Sequence, residues 1–228
     1  MLRSMFSLRQ ILAQHSPVLL IDSSSTLIQV GLWTNAQAVA WEAAEREAGT
    51  GVFASTENLL QAAGVSLTQI EAFIFCAGPG SVLGIRTAAA AIRIWNTLRP
   101  RPVFSFTSLE LVAHFEKTKR AGSAFSVIAD ARRETWHQIQ VDERANISPL
   151  RRVPATALTG TLLTPTFFRH WAPLPPAVEN VSYHTGAMLE TLNDAPLFSE
   201  NLDPDAFLHE APSYLTWTPQ IHRAPSTS

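Results

Sequence analysis

The most constraining feature of this chain is a strand that runs without a break into a glycine-rich turn and then a helix. Ala72-Phe73-Ile74-Phe75-Cys76 is apolar throughout, the pattern of a strand buried on both faces. Ala77-Gly78-Pro79-Gly80-Ser81 follows, and Gly84-Ile85-Arg86 leads into an alanine-rich helix that reaches about Leu98, where Pro100 and Pro102 stop it. Glycines at such a junction let backbone N–H groups face an anion, and the helix N-terminus adds a favourable dipole. Gly78, Gly80 and Ser81 are therefore candidate phosphate-loop residues. The alternative is a tight turn that packs a helix closely on a sheet. The motif is neither a Walker loop, since no GK[ST] occurs, nor a Rossmann G-x-G-x-x-G.

A second pattern appears twice. Val18-Leu19-Leu20-Ile21-Asp22 reads as a buried strand ending in an acid, followed by the hydroxyl-rich turn Ser23-Ser24-Ser25 and strands over 27–33 and from Ala38. Phe125 to Ala129 reads as another, ending in Asp130, with Arg132-Arg133-Glu134 as a charged turn and Thr135–Val141 as the paired strand. Two acid-ended strands, each followed by a hairpin, fit a duplicated unit facing a cleft. Asp22 and Ser23 join the candidate phosphate loop on that reading. Asp130 and Arg132 are assigned to a structural turn, since Asp commonly caps turns.

Between these units a helix is expected over Val52–Ala63, with Gly64 as its C-cap, and another from Ser108 as N-cap. The helix after Arg86 carries Ile85, Ala88, Ile92 and Trp95 as one stripe, while Ala90, Ala91, Ile94 and Leu98 lie on other faces. A helix apolar on several faces is covered on several faces. Prolines accumulate after Pro149, which predicts mostly loop, with short elements near Phe167–Trp171 and Ala187–Leu192. The first sixteen residues read as a short amphipathic extension, or as the product of a start codon placed too early.

Composition narrows the function classes. The 228 residues include 17 Lys and Arg against 19 Asp and Glu, a net charge of −2, which argues against a free-standing nucleic-acid binder. Only 16% of residues are charged and 46% are hydrophobic, which excludes disorder and suggests a surface covered by a partner. The single Cys76 cannot form an internal disulfide and reads as a buried hydrophobe. The seven histidines are scattered with no i,i+4 pair, so no metal site is expected. No apolar run reaches the ~18 residues of a membrane span. A cytoplasmic location is the expectation.

Five blocks in order resemble those of the TsaB (YeaZ) family, accessory subunits in the synthesis of tRNA threonylcarbamoyladenosine. They are Leu20-Ile21-Asp22-Ser23-Ser24-Ser25, Gly78-Pro79-Gly80-Ser81-Val82-Leu83-Gly84-Ile85-Arg86, Ser108–Ala113, Ile128–Trp136 and Pro212-Ser213-Tyr214-Leu215. The resemblance implies an α/β, actin-like ATPase (ASKHA, ribonuclease H-like) duplicated fold with two lobes, residues 1–105 and a smaller, diverged 106–228. It implies a non-catalytic platform that binds a TsaD-type transferase subunit, with a TsaE-type ATPase in the complex and a homodimer when alone. No cofactor is expected on this subunit alone, with ATP or ADP and a divalent metal left to the complex; tRNA would be met only indirectly. The interface would comprise Val52, Leu59, Leu60, Arg86, Ala90, Ile94 and Trp95. The chain departs from the family pattern at Val82-Leu83, which removes a loop hydroxyl, and at Thr216, where an Arg is usual. Two other readings remain open, a small ASKHA-type kinase or ATPase and a diverged homodimeric scaffold.

Overall fold

A computed structural model describes residues 4–35 and 39–207. The block Pro212–Leu215 and Thr216 lie outside the described residues.

The order of the strands shows how the chain is built. Strands β1 (Met5–Phe6), β2 (Val18–Asp22), β3 (Leu27–Trp33), β4 (Val39–Glu45), β5 (Ala72–Gly78), β6 (Val103–Thr107) and β12 (Phe198–Glu200) form a seven-stranded sheet in the order β1-β12-β6-β5-β2-β3-β4. Strands β7 (Phe125–Asp130), β8 (Thr135–Val141), β9 (Arg151–Pro154), β10 (Leu162–Pro165) and β11 (Glu179–Val181) form a second sheet in the order β11-β10-β7-β8-β9. The run β6-β5-β2-β3-β4 of the first sheet has the same order as the whole of the second. In both, an antiparallel meander leads into two strands parallel to the first. The fold is a duplicated one, mixed α/β, of the actin-like ASKHA class.

The copies differ in their crossovers. In the first, α2 (Ala48–Ala63) and α3 (Val82–Leu98) connect β4 to β5 and β5 to β6. In the second, a single 3-10 turn at Ala155–Ala157 and the loop 166–178 stand in their place. The expected element near Phe167–Trp171 is a turn and loop, because Pro165, Pro173, Pro175 and Pro176 remove the donors a helix needs.

Helices α4 (Ser108–Lys119) and α5 (Thr185–Thr191) pack with the inner faces of both sheets in one core, where Leu20, Ile74 and Phe106 meet Val127, Leu163 and Leu189. Alternate residues of β2 and β5, namely Leu19, Ile21, Phe73 and Phe75, face α2 and α3 on the other side. The chain does not divide once between the sheets. A boundary at 105/106 cuts β6, and β12 brings residues 198–200 back to the first sheet.

The segment before β2 is structured. Ser7 caps α1 (Leu8–Gln14) in a reciprocal capping box with Gln10, Leu8 and Ile11 are buried in the shared core, and β1 pairs with β12. Near α4 the N-cap is Thr107 rather than Ser108. Ser108 is the first helical residue, and its hydroxyl donates to the Pro79 carbonyl at 2.6 Å, tying the helix to the glycine turn.

Candidate functional site

The C-terminal ends of β2 and β5 meet the second sheet at the place where the sequence puts a phosphate loop. The local geometry follows from the glycines. Gly78 has φ 113° and Gly80 φ 152°, and Ser81 N-caps α3 by accepting from the Gly84 N–H at 3.3 Å. The turn is packed against Ser23-Ser24. The Ser81 N–H donates to the Ser24 carbonyl at 2.7 Å, a Cβ on Gly80 would overlap that same oxygen, and one on Gly84 would overlap the Ser23 carbonyl. The Ser81 donor expected for a phosphate is thus spent on the chain itself. Gly84→Ala is expected to destabilise by about 1–3 kcal/mol through overpacking. A thermal scan should register about 2–4 °C per kcal/mol in a chain this long; an unchanged melting temperature would count against the close approach.

Asp22 is wholly buried and all its acceptor sites are occupied. Oδ1 accepts the Ser24 N–H at 3.0 Å and the Ser24 hydroxyl at 2.7 Å, while Oδ2 accepts the Tyr183 hydroxyl at 2.6 Å and the Thr185 hydroxyl at 2.7 Å. Tyr183 and Thr185 come from the far end of the chain, just after β11 and at the start of α5. Gln29 reinforces the join, accepting from the Thr185 N–H at 2.9 Å and donating to the Tyr183 carbonyl. Thr26 adds another tie, donating its N–H to the Phe167 carbonyl at 2.9 Å.

These ties close the cleft. The space among Ser24, Ser25, Gly80, Ser81, Asp130 and Trp171 is about 10 Å³, against the several hundred a ligand pocket needs. Asp22, Ser23, Gly78, Gly80 and Ser81 come together as expected, but as a sealed joint. The buried Ser23 hydroxyl has no partner, but one orphaned hydroxyl beside a space of that size does not fit a nucleotide. Among the described residues no group of His, Cys, Asp and Glu is arranged to hold a metal. A cavity of about 810 Å³ lies elsewhere, between α1, α5 and the β3–β4 hairpin beside Trp33 and Trp41.

The joint has a pH signature. Burial, and then the Asp22 charge, push both the Cys76 thiol and the Tyr183 hydroxyl well above their ordinary values. A raised folded-state pKa gives stability that is whole below the unfolded value and is lost as pH rises past it, since the unfolded chain then releases the proton first. The unfolding free energy should therefore fall from about pH 8.5–9 for Cys76, and more steeply above about pH 10 for Tyr183, by up to about 1.4 kcal/mol per pH unit for each group. Urea midpoints across that range check this, and Cys76→Ala should remove the lower limb.

The expected interface residues divide. Val52, Leu59 and Leu60 are buried beneath α2 against the sheet and α3, so they belong to the core and not to a contact surface. Trp95 is half-buried between Phe53 and Phe73. Arg86 is exposed and 3.5 Å from Asp205. Ala90 is half-buried and Ile94 exposed, one turn apart on the outer face of α3. Leu83 and Leu98 extend the same stripe, and Phe53 stands beside it on α2. Leu83 is 66% exposed, Ile94 60% and Leu98 82%. Asp130 and Arg132 lie in a turn, with the Arg132 N–H donating to Asp130 Oδ1 at 2.6 Å. Sequence reasoning missed Tyr183, Thr185 and Gln29, none of which carries a local signal.

No helix among the described residues is long and apolar enough to cross a membrane. No curated protein matches the chain. Solved structures are similar, two of them from Pseudomonas aeruginosa. YeaZ from Pseudomonas aeruginosa superposes with a TM-score of 0.60 at 18% identity, over 78% of this chain and 90% of that one. A protein of Pseudomonas aeruginosa described as similar to peptidase YeaZ gives 0.59 at 18%, over 77% and 90%. The family described as TsaD: tRNA N6-adenosine threonylcarbamoyltransferase matches residues 32–146, about half of the chain and the stretch that carries the glycine turn, α3 and the Asp130 turn. The chain belongs to that family and has the fold of YeaZ.

Proposed function

We propose that this chain is a TsaB-type accessory subunit in the synthesis of threonylcarbamoyladenosine next to the tRNA anticodon, and that it binds a TsaD-type catalytic subunit through the outer face of α2 and α3. The observation that carries this reading is the row of exposed apolar side chains, Leu83, Ile94 and Leu98, with Phe53 beside them. A large apolar patch left open to water marks an interaction surface. The half-buried Ala90 in its centre lets a partner helix approach closely. A specific interface buries about 800 Å² on each side.

The sealed cleft supports a platform role over the kinase or ATPase reading, because Asp22 is spent on Ser24, Tyr183 and Thr185 and the glycine turn is packed on the Ser23 and Ser24 carbonyls. In this reading the subunit is non-catalytic and works in the cytoplasm. A TsaE-type ATPase, the nucleotide and the metal belong to the rest of the complex, and the same helical face makes a homodimer when the chain is alone. Reconstitution tests it directly. Modification of tRNA by the cognate TsaD-type and TsaE-type subunits should require this chain, and co-purification should show capture. Full modification in its absence would sink the proposal. A tight dimer by light scattering that ignores the TsaD-type subunit would favour the scaffold reading instead.

A further inference from the structure

The mouth of the sealed cleft carries side chains that a platform does not use. After β7 ends at Asp130, Arg132, Arg133 and Glu134 all take left-handed φ values, 64°, 51° and 59°. Residues other than glycine seldom enter that region, and such outliers cluster where a side chain must be aimed. Asp130 clamps this turn to a second segment. Its Oδ1 accepts the Arg132 N–H, and its Oδ2 accepts the N–H groups of Trp171 and Ala172 at 2.7 and 2.8 Å. The clamp sets the Arg132 guanidinium over the Trp171 ring, 4.4 Å from its centroid. Even so, Trp171 remains 53% exposed.

The surroundings are basic. Arg169 lines the cleft mouth with Trp171, and Arg133 adjoins Arg132. Arg133 and Arg169 are exposed and have no ion-pair partner among the described residues. Arg152 braces the turn by donating to the Thr135 hydroxyl and the Ala131 carbonyl. Asp130 is satisfied by backbone donors, so Glu134 is the exposed acid of the turn.

We propose that the Arg132–Trp171 stack, with Arg133 and Arg169 beside it, is a contact site for single-stranded RNA. An exposed indole under a planar guanidinium offers a base a flat surface to stack on, and unpaired arginines meet phosphates. The clamp fixes this platform before the ligand arrives, so little ordering is lost on binding. An acidic peptide would use the cations but not the ring. The inference goes beyond the platform reading, in which tRNA is reached only through partners. With a net charge of −2 on the chain, attraction is local and strongly dependent on salt.

Fluorescence anisotropy of an end-labelled oligouridylate with the full chain at low salt tests it. Trp171→Ala and Arg132→Gln should each weaken binding about tenfold, as loss of one stacking partner does. Arg132→Lys keeps the charge but not the plane, and should weaken binding nearly as much as the Gln variant. The double variant Arg133→Gln, Arg169→Gln should lower the slope of log affinity against log salt by about 1.4. Melting temperatures confirm that each variant is folded. Absence of binding by the wild-type chain, variants that bind like wild type, or polyglutamate displacing the RNA as well as unlabelled RNA does would each overturn the proposal. Capture of the TsaD-type subunit by these variants should be unchanged. Failed RNA binding with intact capture thus refutes this site alone, and failed capture by the wild-type chain refutes the platform alone.

Discussion

Asp22→Ala is expected to lower the unfolding free energy by about 3–5 kcal/mol, the range seen when one partner is removed from a buried charged network. The carboxylate accepts four hydrogen bonds from three residues. Its loss takes the acceptor from the Thr185 hydroxyl and from the Ser24 N–H and leaves the Tyr183 and Ser24 hydroxyls only each other, at 3.4 Å, and each buried group left unpaired carries its own desolvation cost of about 1–3 kcal/mol. The predicted fall in melting temperature is about 6–20 °C. Tyr183→Phe removes one donor and leaves the carboxylate with its others, so about 1–2 kcal/mol is expected there. Strong non-additivity in a double-mutant cycle between Tyr183→Phe and Thr185→Val would identify the join between the sheets as one unit. Urea unfolding measures all of these. An Asp22→Ala protein within 1 kcal/mol of wild type, by contrast with the ~3–5 expected, would show that the joint adds little to stability.

The second large effect is on binding. The double variant Ile94→Asp, Leu98→Asp should weaken capture of the TsaD-type subunit, and self-association where that occurs, by about 100-fold or more. Both side chains belong to the exposed apolar stripe, where a few residues dominate interface energy and an introduced charge must be desolvated. Both are largely exposed, so the melting temperature of the isolated chain should hardly change. Leu59→Ala is the contrasting control. Leu59 is 4% exposed, and its truncation should cost about 2–4 kcal/mol of stability as a core cavity while leaving the stripe intact. Isothermal titration with the partner, beside thermal scans of each variant, separates the two. Wild-type affinity in the Asp double variant would move the interface to another face.

Much of the first lobe is legible in the sequence because its signals are local. The apolar runs ending in Asp22 and Asp130, the alternating strand 135–141 and the helix-stopping Pro100 and Pro102 each act through neighbouring residues. The observed bounds differ by a few positions at most, with α3 starting at Val82 rather than near Arg86 and α2 at Ala48 rather than Val52. The duplication is readable from the repeat of strand, acid and hairpin. What stays hidden depends on partners far away in sequence. Tyr183 and Thr185 reach Asp22 across 161 and 163 positions, and a Tyr in a proline-rich stretch gives no sign of this. The division of α2 and α3 into buried and exposed faces depends on which way each helix turns over the sheet. Leu59 and Leu60 look no different in sequence from an interface pair. The segment before β2 reads only as a short amphipathic extension; that it docks as a helix is not legible, because a seven-residue helix is stable only through the groove it fills.

The return of β12 to the first sheet bears on the order in which the protein can take shape during synthesis. Strand β6 ends at Thr107, and its outer neighbour β12 begins at Phe198. At about 5–20 residues per second, the ribosome needs roughly 5–20 s to deliver the chain between them. Throughout that interval β6 presents an unpaired edge, and Met5–Phe6, made earlier still, has no strand to join, since β1 pairs with β12. The nascent first lobe is thus an open sheet waiting for residues made much later, a form prone to pair with other chains. Chaperone dependence of expression, relieved when residues 198–200 are supplied early by circular permutation, would be the cellular trace of that wait.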